Sequence, residues 1–384
     1  MALKVLMMGG RRCGKTSALA SLFDQMITGA TNEYLTVADD TNPNQKNDDG
    51  TEKEEKIETL NNKKLELKHF IGKATNNTFL VDAGPTSNYW DYLLRVQIPG
   101  TTKSTHLRFR DANGEFFDSG NKHHDETMKF VKDCDVFVVV VDTPYLMAGE
   151  DYVNEAANVV NSLHTFLTAI DTSKTKGKQV IFVPIKCEKW MQEGKADEVV
   201  AKVEATYSST IKHLVATKKT EISIIPIQTA GDILFSDLRV PYILYNTVTK
   251  QNTKCSKLTE NLFVLNSGKI HKKTEIECLN DDPQGVFPGK GMENIVRPTE
   301  WFHLPQDREP KYAPYNCEQL PLHIIRFMFN KLKAEAPGGL LGKLLSLVFG
   351  TMTKEDLQNA LDELSKKDLI KDNTEGIKTI KKIY

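Results

Sequence analysis

One octapeptide constrains this chain more than anything else in it. Gly9-Gly10-Arg11-Arg12-Cys13-Gly14-Lys15-Thr16 fits the pattern G-x-x-x-x-G-K-[ST]. Glycines let the backbone curl until its N–H groups point inward around phosphate oxygens, and the N-terminus of a following helix adds favourable potential. Lys15 would reach the β- and γ-phosphates, and the Thr16 hydroxyl would ligate Mg²⁺. The setting agrees with the motif, because an apolar strand-like run (3–8) precedes it and an amphipathic helical stretch (15–28) follows. Gly9, Gly10, Arg11, Arg12, Cys13, Gly14, Lys15, Thr16 and Ser17 are therefore candidate phosphate-binding positions. Lys15 is also a candidate catalytic group.

The rest of the chain suits such a loop. Short apolar runs at 3–8, 90–98, 105–111, 136–142, 180–185 and 222–227 predict strands, several bare enough to be covered on both faces. Helical patterns at 15–28, 123–132, 149–171, 195–217 and 322–333 lie between or after them. This predicts an α/β fold, helices wrapped on a mostly parallel sheet. Trp90, Tyr92, Leu94, Val96 and Ile98 alternate, then Pro99-Gly100 turns the chain towards Leu107 and Phe109, which predicts an antiparallel edge hairpin. Residues 43–64 are rich in Asn, Asp, Glu and Lys and predict a mobile loop, and 236–310 read as an irregular insertion.

Arg110-Asp111-Ala112-Asn113-Gly114-Glu115 ends the second hairpin strand. With the phosphate loop, this D-x-x-G makes the chain resemble Ras-like GTPases of the P-loop superfamily over roughly residues 1–335. The resemblance implies that Asp111 holds Mg²⁺ through water and that the Gly114 N–H meets the γ-phosphate. It implies GTP and GDP as ligands and a loop released when the γ-phosphate is lost. Glu115 stands where the family keeps a water-orienting Gln. Its charge would repel the γ-phosphate, so hydrolysis is expected to be slow without a partner. Arg11 either supplies charge in cis, like an arginine finger, or points into solvent, which is favoured. Thr86 is the choice for the switch-one metal ligand, with Thr36 and Thr41 as competitors.

The same family reads guanine with N/T-K-x-D. Ile185-Lys186-Cys187-Glu188 stands in that place. Lys186 fits and its stem could cover a base plane, Ile185 departs from the pattern, and Glu188 lengthens the carboxylate by one methylene. Thr229-Ala230-Gly231 resembles the family's S/T-A-K loop, so Thr229 and Ala230 join the base-binding candidates. In a rival reading, Val136–Asp142 is the better apolar strand with a terminal Asp, and Asp142 would be the Walker-B Mg²⁺ ligand of an ATPase. No acidic catalyst follows it, so the GTPase remains ahead. The octapeptide, the long segment before the hairpin, and Ala313-Pro-Tyr-Asn-Cys-Glu-Gln-Leu-Pro together resemble bacterial double-GTPase families, which implies work in conflict or defence systems.

Towards the end, Thr353-Lys-Glu-Asp356 has the form of a capping box. With an earlier helix at 340–349 and a strand, turn and strand around 369–380, the segment 337–384 is similar to the end of a winged-helix domain. Its lysines and acids nearly balance, so a packing or protein-docking module is favoured over a DNA binder. The formal net charge of −1 over 384 residues argues against bulk polyanion binding. Six scattered cysteines argue against a disulfide scaffold, and nothing resembles a signal, lipidation or membrane-spanning segment. The expectation is a cytoplasmic, Mg²⁺-dependent guanine-nucleotide switch acting on a protein partner. A nucleotide-binding scaffold with little turnover is the alternative.

Overall fold

A computed structural model describes residues 2–10, 13–28, 36–39, 62, 64–69, 71, 79–80, 90–97, 104–112, 124–148, 151–169, 177–217, 219–240, 243–246, 251–254, 263–266, 269–271, 299–335, 353–366, 368–374 and 376–383. In chain order the strands begin β1 (Ala2–Met8), β2 (Thr36–Asp39), β3 (Phe79–Leu80), β4 (Trp90–Gln97) and β5 (Ser104–Asp111). They continue with β6 (Val136–Asp142), β7 (Lys178–Ile185), β8 (Thr220–Ile224), β9 (Leu234–Val240) and β10 (Ile243–Asn246). The remainder are β11 (Gln251–Lys254), β12 (Phe263–Asn266), β13 (Lys269–His271), β14 (Thr299–His303) and β15 (Lys378–Lys381).

The central sheet has eight strands in the order β15-β8-β7-β6-β1-β5-β4-β2. From β8 to β5 neighbouring strands are parallel, and β4 and β2 turn antiparallel at one edge. A mostly parallel sheet with an edge hairpin is what the alternating sequence pattern predicts. The bare apolar runs are explained by burial on both faces. Val136, Val138 and Val140 pack with the helices Lys15–Thr28 and Gln319–Glu335, while Phe137, Val139 and Val141 pack on the opposite side. That second side is covered by the helices His124–Lys132, Val160–Ala169, Ala196–Thr206 and Ser208–Ala216.

Several boundaries differ from the sequence pattern for identifiable reasons. The helical stretch 149–171 breaks into Asp151–Asn158 and Val160–Ala169 at Val159, which has φ 46°. The stretch 195–217 breaks at Tyr207, whose buried ring lies 5.1 Å from that of Phe182. Helix Gln319–Glu335 starts earlier than expected, because Pro321 falls in its first turn, where a missing N–H costs nothing.

Two expectations are corrected. Residues 236–310 do not form merely an irregular insertion. Their described parts contribute β9 to β14, and four of these strands join β3 in a second, antiparallel sheet ordered β13-β12-β9-β14-β3. The missed strands are short and mixed in polarity, so they carry little period-2 signal. The described residues of the ending do not show a winged helix either. Helix Lys354–Lys366 and its Thr353–Asp356 capping box are present. However, residues 369–370 are not strand, and β15 pairs antiparallel with β8 at the edge of the central sheet. Leu357, Ala360, Leu364 and Ile377 belong to the same buried cluster as β1. The predicted helix at 340–349 lies outside the described residues, as does most of the loop 43–64, whose Asn62 and Lys64 are helical. Among the described residues no helix is long and apolar enough to cross a membrane.

Candidate functional site

The phosphate loop leaves the C-terminal end of β1, the central strand, and runs into helix Lys15–Thr28. Its glycines are forced by close neighbours. A Cβ on Gly10 would sit 1.8 Å from the Ala157 carbonyl oxygen, so the loop lies directly on helix Asp151–Asn158. Gly14 has φ 101°, a conformation that L side chains rarely adopt. Lys15 is buried, and its Nζ donates to the carbonyls of Gly9 (3.1 Å) and Gly10 (2.9 Å).

Parallel pairing of β1 with β5 carries Asp111 to the same end of the sheet, in register with Met7. There the Thr16 hydroxyl donates to Asp111 Oδ2 at 2.9 Å. Asp111 is fully buried, and its Oδ1 has no partner among the described residues. Burial raises its pKa, while Lys15 and the Thr16 hydrogen bond pull the other way. A threonine hydroxyl beside an orphaned carboxylate oxygen is a donor set that fits Mg²⁺, which takes one or two protein oxygens and completes its shell with water and phosphate. No group of three or more His, Cys, Asp or Glu among the described residues suits a metal.

Asp142, the rival carboxylate, is engaged elsewhere. Its backbone N–H donates to Asn158 Oδ1 (2.7 Å), and its Oδ2 accepts from Lys186 Nζ (2.7 Å). Lys186 holds a left-handed φ of 57° at the end of β7 and also pairs with Glu300 of β14. Burial works against the Lys186 ammonium, yet the two carboxylates together lift its pKa above the usual lysine range. For Glu300, burial and then the Asp142 carboxylate push the pKa well up, with Lys186 opposing.

Glu188 opens the short helix Glu188–Gln192 and turns inward. Its Oε1 accepts three hydrogens, from the N–H of Thr229 (2.8 Å), the N–H of Ala230 (2.9 Å) and the Thr229 hydroxyl (3.2 Å). Burial raises its pKa, and these donors oppose the rise. Two predicted base-binding segments, 185–188 and 229–231, are thus joined directly. The loop is braced from outside as well. Ser21 donates to the Thr229 carbonyl (2.6 Å), Gln192 to the Gly231 carbonyl (2.8 Å), and Ala313 to the Ala230 carbonyl (3.0 Å). The segment 313–321 singled out in the sequence is therefore a buttress for this loop: Tyr315 bridges Gln228, and Cys317 Sγ donates to the Gln228 carbonyl.

Between these parts lies a cavity of about 50 Å³, lined by Gly14, Ser17, Leu67, Ile185, Lys186, Glu188, Thr229, Ala230, Ile233, Glu300 and Phe302. One ordered water takes roughly 10–15 Å³ of such space, so the volume is that of about four waters. Of the residues predicted from sequence, Gly14, Ser17, Lys186, Glu188, Thr229 and Ala230 meet here. Thr16, Lys15 and Asp111 meet at the adjoining phosphate end. Cys13, within the loop, is buried. Arg11, Arg12, Thr86, Gly114 and Glu115 lie outside the described residues. Glu300, Phe302, Ile233 and Leu67 were not anticipated. The only trace of Glu300 in the sequence is an acid beside the apolar pair Trp301-Phe302, a signal too common to act on.

No family model matches the chain, and no curated protein matches it. Among solved structures, the GTPase-like domain of S. cerevisiae Ski7, bound to GTP, aligns at 12% identity with a TM-score of 0.31. The alignment covers 60% of this chain and 43% of that one, so it spans less than half of that structure's length. So slight a likeness says nothing about what the present chain binds.

Proposed function

We propose that this chain is a Mg²⁺-dependent guanine-nucleotide-binding protein that hydrolyses GTP slowly and switches a protein partner. The observation that carries the reading is the 2.9 Å hydrogen bond from Thr16 to buried Asp111. It unites a phosphate-loop hydroxyl with the D-x-x-G carboxylate, at the end of the central strand where ligands of open α/β sheets bind. The Lys15 ammonium would leave the loop carbonyls for phosphate oxygens, and the loop's N–H groups and helix N-terminus would hold the remaining charge. When bound, Mg²⁺ neutralises charge on the β- and γ-oxygens. Thr16 and Asp111 would hold it, with Thr86 from the segment before β4.

Lys186, Glu188, Thr229 and Ala230 would form the base end of the same groove. Glu115 would orient the attacking water, and its negative charge beside the γ-phosphate accounts for slow turnover. Arg11 would add positive charge at the loop. Loss of the γ-phosphate would free Gly114 and the loop after Asp111, which is the switching step a partner would sense. The engagement of Asp142 by Lys186 and Asn158 disfavours the ATPase reading, since Thr16 turns to Asp111 instead.

Thermal shift of the full chain against GTP, GDP, ATP and ADP, with and without Mg²⁺, tests this. A guanine-selective shift of several degrees that vanishes in Lys15→Ala is expected. An undiminished shift in that variant would sink the site assignment. Phosphate release by wild type but not by Lys15→Ala separates a GTPase from a scaffold that only binds.

A further inference from the structure

We propose that Glu300, delivered by β14 of the second sheet, is the acceptor that reads the ring N–H and exocyclic amine of a guanine base whose pairing edge enters the cavity beside Lys186, a space of about 50 Å³ that takes that edge and not the whole ring. The inference rests on the nucleotide-binding reading above and moves the base-reading role away from Glu188. Glu188 has its Oε1 committed to three donors of the 229–230 loop, so it props that loop in place. Breaking three hydrogen bonds to a buried carboxylate in order to make two is a poor exchange.

Glu300 has the opposite disposition. The residue is 9% exposed and lines the cavity, and one oxygen takes the Lys186 ammonium. Its Oε1 is buried and has no hydrogen-bond partner among the described residues. Buried carboxylate oxygens are almost always satisfied, so an orphan on a residue that lines a cavity marks a place for a donor. The backbone supports the aim. Along β14, Glu300 and Phe302 stand two residues apart and share a face, and both line the cavity. Phe302 from the same strand and Ile233 supply apolar wall on which a flat heterocycle can lie.

The chemistry selects the base. An ionised carboxylate only accepts hydrogen bonds. Guanine presents two adjacent donors on its pairing edge. Adenine presents one donor beside an acceptor, whose lone pair would face the carboxylate and be repelled. Burial and then the neighbouring Asp142 carboxylate favour protonated Glu300, Lys186 opposes them, and two donors from guanine add to the side of the ion. Lys186, pinned by Asp142, would hold Glu300 by the ring while its stem covers the base.

The test is binding of GDP, IDP, XDP and ADP, with Mg²⁺, to the full-length wild type and to Glu300→Gln, Glu300→Asp, Glu188→Gln and Lys15→Ala. Wild type should prefer GDP, and IDP, which lacks the exocyclic amine, should bind about tenfold more weakly. Glu300→Gln places an N–H against guanine's donors but matches the second carbonyl of xanthine, so GDP should weaken about tenfold or more and XDP should gain. Glu300→Asp should weaken GDP without that gain, because the charge remains but retreats by one methylene. Glu188→Gln, which loosens the 229–230 loop, should weaken the nucleotides together without exchange towards XDP. Unchanged GDP preference in both Glu300 variants, or exchange to XDP in Glu188→Gln, overturns the role of Glu300 and leaves the nucleotide-binding reading standing. Wild type that binds none of the four, or binds them equally with Lys15→Ala, overturns both.

Discussion

Thr16 and Asp111 are separated by 95 positions and meet at 2.9 Å, which makes the pair a sharp place to probe metal dependence. In Asp111→Asn the Thr16 hydroxyl keeps an acceptor, so the fold should survive. The negative charge that a cation needs is lost. We expect the nucleotide-induced thermal shift to become the same with and without Mg²⁺, whereas wild type keeps a difference. A Mg²⁺-dependent shift of wild-type size in Asp111→Asn would remove Asp111 from the metal site. These two residues were legible in the sequence because each belongs to a short motif at a strand end, where local backbone geometry dictates residue type. Glu300 was not, because its meaning comes from Lys186, a partner 114 positions away in a different sheet. No window of sequence around either residue records that meeting.

Helix Gln319–Glu335 carries a proton-sensitive contact at the level of the element. His323 is fully buried, with its Nε2 at 3.1 Å from the Lys371 carbonyl and its Nδ1 at 3.3 Å from the Arg326 guanidinium. The neutral ring with hydrogen on Nε2 satisfies both contacts. Burial, then Arg326, lower its pKa from 6.5 to about 4, with Asp372 and the Lys371 carbonyl opposing and Lys382 assisting. The unfolded chain takes up a proton below about pH 6.5 that the folded chain refuses. Stability is therefore full above that pH and falls as pH drops towards 4, by about 3 kcal/mol for a shift of this size. Urea unfolding at pH 7.5 and pH 4.5 should show wild type losing more stability than His323→Gln. Equal losses would mean the ring is protonated in the fold. Helix type was readable from periodicity throughout, and the Thr353–Asp356 box was readable from four residues. Breaks such as Val159 were not, since a β-branched residue rarely takes φ 46°, and its neighbour Asn158 makes hydrogen bonds to Asp142 and Asn154 that no local pattern announces.

At the scale of the whole molecule, the central sheet and the second sheet together line the cavity beside Lys186, and β15 closes the far edge of the central sheet. The second sheet is fastened by aromatics: the rings of Trp190 and Phe235 stack at 5.5 Å, and Phe302 meets Phe235 edge-on at 6.3 Å. The central sheet was legible because its strands are apolar on both faces. The second sheet and the true place of β15 were not, since strand pairing across long separations leaves no mark on composition. Removing residues 377–384 takes away β15 and the buried Ile377, and it leaves β8 as an unpaired edge. We expect a lower Tm and concentration-dependent association by light scattering. A monomer of unchanged Tm would mean that β15 contributes little to the sheet.

The pairing of β15 with β8 also has a consequence in time. Between the two strands the chain must lay down the second sheet and helix Gln319–Glu335. During synthesis, the hydrogen-bonding edge of β8 therefore waits bare while all of that chain emerges. Closure of this long detour is the step expected to be slow in reaching the native state, and a foreign strand that arrives first can take the waiting edge.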